Sequence, residues 1–186
     1  MNKIDYEKRN EELYQRMDRI NEWIKSCDNK TSILLATFGI FSSIFISDFF
    51  RNKCISIARY MLDKVEFGSI LYLFTFSIFI VSLGVGLFYL VKELSPKLSF
   101  KNINSGNSLI FFGSIGDKTY DQFKQLIDEE EEENTYRDII YQIYINSKIC
   151  ADKHMYAKKG IIFSSIGVIG IFFMFVAGWI IIYVNK

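Results

Sequence analysis

Few residues of this chain have the types and spacing that catalysis requires. The one histidine, His154, has no cysteine at the spacing of a catalytic or metal-binding pair, and Cys27, Cys54 and Cys150 form no CxxC pair. The signature motifs of serine hydrolases, zinc proteases, P-loop proteins and dinucleotide-binding enzymes do not occur in the sequence. We therefore predict that the protein is not an enzyme and holds no metal ion or cofactor.

The acidic run DEEEEE at residues 128–133 is the most prominent local charge feature. A carboxylate site for a cation needs several ligands that converge on one point. Consecutive residues of a helix point in different directions, so this run does not meet that requirement. We interpret it as a solvated helix surface or connection.

One long helix is predicted to run from Arg137 to Val184 and to organise the rest of the chain. It is polar first and apolar afterwards, and neither proline nor a turn cluster interrupts it. Residues at steps of three, four and seven form one face, which is polar in the first half and mostly small in the second. The members of this face are Gln142, Asn146, Lys153, Ala157, Gly160, Ser164, Gly167, Met174 and Gly178. Such a face lets a helix pack against another helix both in water and in lipid.

The N-terminal region has the same design. An apolar seam recurs at helical spacing through Tyr6, Leu13, Met17, Ile20, Ile24 and Cys27. A polar face at Asn21, Lys25 and Asp28 continues into the first apolar segment as the small residues Ser32, Ala36, Gly39 and Ser43. We expect the two small faces to pack together, so that the two long helices form a pair.

Three apolar segments are predicted to cross a membrane as helices, at 31–50, 67–91 and 160–184. The second and third exceed the roughly twenty residues that a crossing needs, and Phe49 and Phe50 extend the shorter first one. The predicted fold is an all-α membrane protein whose first and third transmembrane helices continue as long cytosolic helices. The remaining segments are a cytosolic amphipathic helix at 1–30, a short external connection at 51–66, and a cytosolic insertion with the long helix at 92–159.

The orientation in the membrane follows from the basic residues. Most of the 22 Lys and Arg residues lie in segments 1–30 and 92–159, which three crossings place on the same side. Basic residues concentrate on the cytoplasmic side of membrane proteins. We therefore predict a multi-pass protein with a cytoplasmic N-terminus.

The insertion begins with Pro96 and a polar turn region, KNINSGNS, at residues 101–108. The apolar run LIFFGSIG at 109–116 is predicted as a strand or an extended docking segment. Asp117 or Thr119 is predicted to cap a helix that begins with YDQFKQLI.

Three blocks of sequence resemble the membrane effector family of bacterial Pycsar antiphage systems. They are CDNKTSILLATFG at 27–39, LIFFGSIGDKTYDQF at 109–123 and QIYINSKICADKHMYAKKGIIF at 142–163, in the order found in that family. The resemblance implies an inner-membrane effector that damages the membrane and arrests the infected cell by abortive infection. It also implies control by a nucleotide signal, either a cyclic pyrimidine nucleotide or an oligonucleotide, and a functional link to a nucleotide cyclase or nucleotidyltransferase.

A phosphate-bearing signal would be bound by basic and hydrogen-bonding side chains. The predicted ligand-binding residues are Lys25, Asp28, Lys30, Arg137, Gln142, Asn146, Lys148 and Lys153. Tyr141, Tyr144 and Phe112 are candidates to stack on a base. The alternative, left open here, is that the same polar residues form a packing network between helices.

A pore would need several copies of the chain around an axis, for example a tetramer, because three spans do not enclose a pathway. The predicted pore or helix-packing residues are Ser32, Ala36, Gly39, Ser43, Gly160, Ser164, Gly167 and Gly178. Hydroxyl groups at Thr37, Ser42, Ser43 and Ser47 either line a polar path or bond to their own helix. The alternative function is a non-pore membrane scaffold or sensor that recruits a partner protein through its cytosolic helices.

Overall fold

The computed structural model describes residues 6–64, 66–95 and 108–184, and it forms six helices in these ranges. They are α1 (Tyr6–Ile46), α2 (Asp48–Asp63), α3 (Phe67–Leu94), α4 (Phe112–Gly116), α5 (Tyr120–Asp128) and α6 (Glu132–Val184). No strand occurs within the described residues. The predicted all-α fold is confirmed. Pro96 and residues 101–107 of the predicted turn region lie outside the described residues.

Three helices, α1, α3 and α6, are long and apolar enough to cross a membrane, as predicted. The long C-terminal helix is continuous over 53 residues, which corresponds to roughly 80 Å. It begins at Glu132, inside the acidic run, because carboxylates in a first turn interact favourably with the positive end of the helix dipole.

The first span was predicted to extend through Phe49 and Phe50, but helix α1 ends earlier, at Ile46. Ser47 causes the break, because its hydroxyl accepts a hydrogen bond from the backbone N–H of Phe50 and caps α2. The predicted connection at 51–66 is therefore largely a helix. Phe50 belongs to this helix and stacks on Phe175 of α6, with ring centroids 4.5 Å apart.

The prediction of a strand or extended segment at 109–116 was wrong, since residues 112–116 form helix α4. Ser108 explains the difference, because its hydroxyl accepts hydrogen bonds from the backbone N–H groups of Ile110 and Phe111. These bonds turn the chain locally, so it needs no sheet partner. The predicted cap at Thr119 is confirmed: Thr119 and Gln122 form a reciprocal capping box at the start of α5.

The contacts divide the chain into two compact units. The head unit comprises Met1–Cys27 and Ser95–Lys153, and the membrane unit comprises Asp28–Leu94 and His154–Lys186. Both α1 and α6 contribute residues to each unit.

In the head unit, the first part of α1 buries its predicted apolar seam. Ile20 and Cys27 are buried, and Leu13, Met17 and Ile24 are half-buried. The side chain of Tyr6 lies outside the described residues. On α6, Ile139, Ile145 and Cys150 are buried. These apolar side chains form the core of the head unit.

In the membrane unit, α6 packs its small residues against α3. A Cβ atom on Gly167 would lie 2.6 Å from the backbone nitrogen of Leu83, and one on Gly160 would lie 2.6 Å from the side chain of Leu90. Such close approach of two helices requires glycine. Tyr72 and Ser82 of α3 also donate hydrogen bonds to backbone carbonyls of α6, over 2.6 Å to Met174 and 2.9 Å to Phe163.

The small face of α1 is not the partner of the α6 small face, so this part of the prediction was wrong. Ser32, Ala36, Gly39 and Ser43 are exposed, and a Cβ atom on Gly39 would meet no atom within 4 Å. The helix α3 takes this place because its Leu83, Gly86 and Leu90 lie at spacings that match the α6 glycines. Sequence periodicity identified the packing face of α6 but not the helix that covers it.

Candidate functional site

A buried polar cluster in the head unit joins the insertion to α6. The carboxylate of Asp138 accepts hydrogen bonds from the hydroxyl of Ser108 at 2.9 Å and from the backbone N–H of Leu109 at 3.0 Å. Gln142, one turn further along α6, donates to the Ser108 hydroxyl at 3.1 Å. Gln142 and Ser108 are each 5% exposed. Among the predicted ligand residues, Gln142 thus takes part in a packing network.

A second polar contact joins α1 directly to α6 in the head unit. The side-chain amide of Asn146 donates a hydrogen bond to the side-chain oxygen of Asn21 over 3.2 Å. Both residues lie on the polar faces that the sequence predicted to meet. The pairing of the two long helices is therefore found in the head unit, although their small faces do not pair in the membrane unit.

Two predicted ligand residues, Arg137 and Lys148, lie on the exposed face of α6. The side chain of Arg137 is 72% exposed and forms an ion pair with Glu133, one turn earlier. Lys148 lies over the ring of Tyr144, with its nitrogen 4.6 Å from the ring centroid. This surface carries basic, acidic and aromatic side chains, whereas Gln142 is buried and Asn146 is half-buried.

The other predicted ligand residues are divided between the two units. Lys25 is exposed on α1 of the head unit, and Lys153 of the same unit is buried on α6. Asp28 is half-buried and Lys30 is exposed, and both belong to the membrane unit. The predicted ligand residues therefore occupy both buried and exposed positions.

A polar pocket between α1 and α6 of the head unit was not predicted. Its lining residues are Arg9, Glu12, Leu13, Arg16 and Tyr136. The pocket encloses about 480 Å³ of empty space, including its open mouth. Arg9 and Arg16 are seven residues apart and thus share a helix face, beside the apolar seam. This spacing is the signal in the sequence that could have identified them.

An acidic groove lies along another face of α1. Its lining residues are Glu7, Asn10, Glu11, Tyr14, Gln15, Asp18 and Glu132. The pKa of Tyr14 is raised by burial and, to a smaller extent, by the negative charges of Glu130 and Asp138. A groove of this charge disfavours a phosphate group, so this groove and the pocket of Arg9 and Arg16 differ in the ligands they suit.

The predicted pore or packing residues also fall into two groups. Gly160, Ser164, Gly167 and Gly178 are buried on α6, whereas Ser32, Ala36, Gly39 and Ser43 are exposed on α1. The hydroxyl groups of Thr37, Ser42, Ser43 and Ser47 donate to carbonyls of α1 three or four residues earlier, at 2.7 to 2.8 Å. Each of these hydroxyl oxygens retains the capacity to accept a hydrogen bond.

The acidic, histidine and cysteine side chains of the described residues do not converge on a metal site. No group of three or more His, Cys, Asp or Glu side chains in residues 6–64, 66–95 and 108–184 is placed to hold a metal ion. Cys27 and Cys150 are buried and form no disulfide bond, and burial raises the pKa of the Cys150 thiol. A raised pKa makes this thiol a poor nucleophile at neutral pH.

Comparison with known proteins agrees with the resemblance seen in the sequence. The model of the PycTM family, described as the Pycsar effector protein domain, matches residues 12–182. The Pycsar effector protein GmPycTM of Gulbenkiania mobilis is 32% identical, in a match that covers 86% of this chain and 88% of that protein. No solved structure matches the chain. The matches and the three candidate spans support a role as a membrane effector in antiphage defence. This chain belongs to the PycTM family of Pycsar effector proteins.

Proposed function

We propose that this protein is a nucleotide-controlled effector that oligomerises in the bacterial inner membrane and opens a pore or ion channel. Loss of membrane integrity then arrests the infected cell. The head unit lies in the cytoplasm, where it binds the nucleotide signal, and a nucleotide cyclase or nucleotidyltransferase supplies that signal. The chain acts without enzymatic activity of its own.

The observation that carries this proposal is the continuity of α1 and α6. Each is a single helix that supplies core residues to the head unit and a candidate span to the membrane unit. A ligand that favours one packing of the Asn21–Asn146 pair over another shifts the equilibrium between conformations. Because no loop interrupts α1 or α6, such a shift is carried into the spans.

The exposed surface of the spans supports assembly from several copies. Within one chain, only 6% of the candidate membrane-spanning stretch is buried in α1 and in α3, and 22% of it is buried in α6. Helices associate in lipid through small residues, which α1 presents on its exposed face at Ala36 and Gly39. We infer that this face contacts a neighbouring copy, as in a tetramer, and that the serine oxygens beside it accept hydrogen bonds from water in the path.

Dye release from liposomes tests the function. The purified full-length protein is reconstituted with a trapped ionic dye, and release is measured with cyclic pyrimidine mononucleotides, with oligonucleotides and with neither. We expect release to change severalfold with one signal class, because ligand binding shifts a conformational equilibrium. Release that is absent under every nucleotide condition, although the protein arrests bacterial growth, contradicts the pore.

A scaffold that recruits a partner protein is the second candidate, and helix α5 favours it. Tyr120 is 76% exposed, and Leu126 and Ile127 are also exposed on this short helix. Exposed apolar residues of this kind suit a protein contact. The scaffold predicts that Leu126→Ser abolishes growth arrest although neither the variant nor the wild type releases dye, whereas the pore predicts that the wild type releases dye and that arrest and release change together.

A further inference from the structure

We propose that the pocket of Arg9, Glu12, Arg16 and Tyr136 binds a mononucleotide, with the arginines on its phosphate and the tyrosine against its base. This inference rests on the proposed nucleotide control and adds the location and chemistry of the site. The pocket lies within the head unit and is built from α1 and α6, the two helices that continue into the membrane unit.

The two arginines supply the phosphate recognition. Neither guanidinium group has an ion-pair partner among the described residues, in contrast to Arg137, which pairs with Glu133. Their Cα atoms are two helical turns apart, about 10 Å, and long arginine side chains span this distance. Guanidinium groups match phosphate oxygens in geometry and charge. The pair therefore offers a cationic site that no side chain of the described residues neutralises by a direct ion pair.

Tyr136 supplies an aromatic surface from the opposite helix. It is half-buried, and its side chain lines the same pocket as the arginines. Stacking of a base on an aromatic ring contributes about 1–3 kcal/mol. The pocket has one aromatic residue in its lining, which suits one stacked base better than the successive bases of an oligonucleotide.

Glu12 lies between the two arginines in sequence and lines the same pocket. Because a carboxylate repels phosphate, we expect Glu12 to contact the base of the nucleotide. Carboxylates accept hydrogen bonds from the exocyclic amino group of cytosine, and uracil carries a carbonyl oxygen at that position. The pocket therefore favours a cytidine nucleotide over a uridine nucleotide.

Binding of cyclic CMP and cyclic UMP to the full-length protein, measured by calorimetry in lipid nanodiscs, tests the site. Arg9→Gln and Arg16→Gln are each expected to weaken binding of cyclic CMP about tenfold or more, since each removes a charge-assisted hydrogen bond. Tyr136→Leu is expected to weaken it about tenfold, whereas Tyr136→Phe retains the ring and the affinity. Glu12→Gln is expected to reduce the preference for cyclic CMP.

Arg19→Gln is the matched control, because Arg19 is an exposed arginine of α1 outside this pocket. If binding is unchanged in Arg9→Gln and Arg16→Gln while the wild type still responds to nucleotide, the pocket is refuted and the proposed function stands. A different result is that the wild type binds neither nucleotide and releases dye at the same rate with and without them. That result refutes both the proposed site and the control of the protein by a cyclic pyrimidine mononucleotide. Arg9→Lys keeps the positive charge. If Arg9→Lys binds the nucleotide and Arg9→Gln does not, the loss of binding is due to the missing charge and not to misfolding.

Discussion

Replacing Gly86 with alanine is expected to destabilise the membrane unit by about 1–3 kcal/mol, the usual effect of overpacking. A Cβ atom at this position would overlap the backbone nitrogen and the hydroxyl of Ser164, and it would lie 2.8 Å from the Ser164 Cα atom. The obstacle is largely backbone, so it does not yield by a side-chain rotation. The helices α3 and α6 would have to separate, which also weakens the hydrogen bond from Ser82 to the Phe163 carbonyl.

The matched control is Gly84→Ala, two residues earlier in the same helix. A Cβ atom on Gly84 meets no atom within 4 Å. Alanine is more favourable than glycine in a helix by roughly 1 kcal/mol, so we expect this variant to be stabilised by about that amount. The resistance of both variants to unfolding in detergent is measured by circular dichroism. Equal behaviour of Gly86→Ala and Gly84→Ala would contradict the packing of α3 against α6.

Replacing Asp138 with alanine is expected to weaken the attachment of the insertion to α6 and to destabilise the head unit by roughly 2–4 kcal/mol. The variant leaves the backbone N–H of Leu109 and the hydroxyl of Ser108 without their acceptor. Gln142 remains buried at the same place and loses a weak contact with Asp138 at 3.5 Å. Hydrogen exchange of the amides at residues 109–116 should accelerate by more than tenfold, since local opening becomes easier.

Asp128→Ala serves as the control for this second variant, because it removes the same charge from an exposed residue at the end of α5. It should leave exchange at residues 109–116 unchanged. Unchanged exchange in Asp138→Ala would show that another contact holds the insertion.

The helical pattern of the long segments was predictable because it depends on local sequence. The apolar seam through Ile20 and Cys27 and the continuity of α6 follow from periodicity and from the absence of a breaker near Gly160. The cap at Thr119 follows from a motif that closes within four residues. In each case the interaction that determines the structure lies within one or two turns.

Long-range partners were not predictable in the same way. Small residues on α6 mark a face for close packing. Gly86 and Leu90 of α3 and Gly39 of α1 all have a spacing that fits this face, so spacing alone does not show which helix packs there. The helix at 112–116 depends on Ser108, which both caps it and bonds to Asp138 of a distant helix. The pocket residues Arg9 and Tyr136 are far apart in sequence and share a cleft only because α1 and α6 pair.

Nucleotide-dependent dye release from liposomes containing Asn29→Pro tests the coupling of the two units most directly. Asn29 is exposed in α1, immediately after the point where α1 passes from the head unit to the membrane unit. Proline removes a backbone hydrogen bond there and breaks or kinks the helix. We predict that the variant binds cyclic CMP within about threefold of the wild type and loses nucleotide-dependent release, whereas Asn29→Ala retains both. Full nucleotide-dependent release from Asn29→Pro would contradict transmission of the signal along α1.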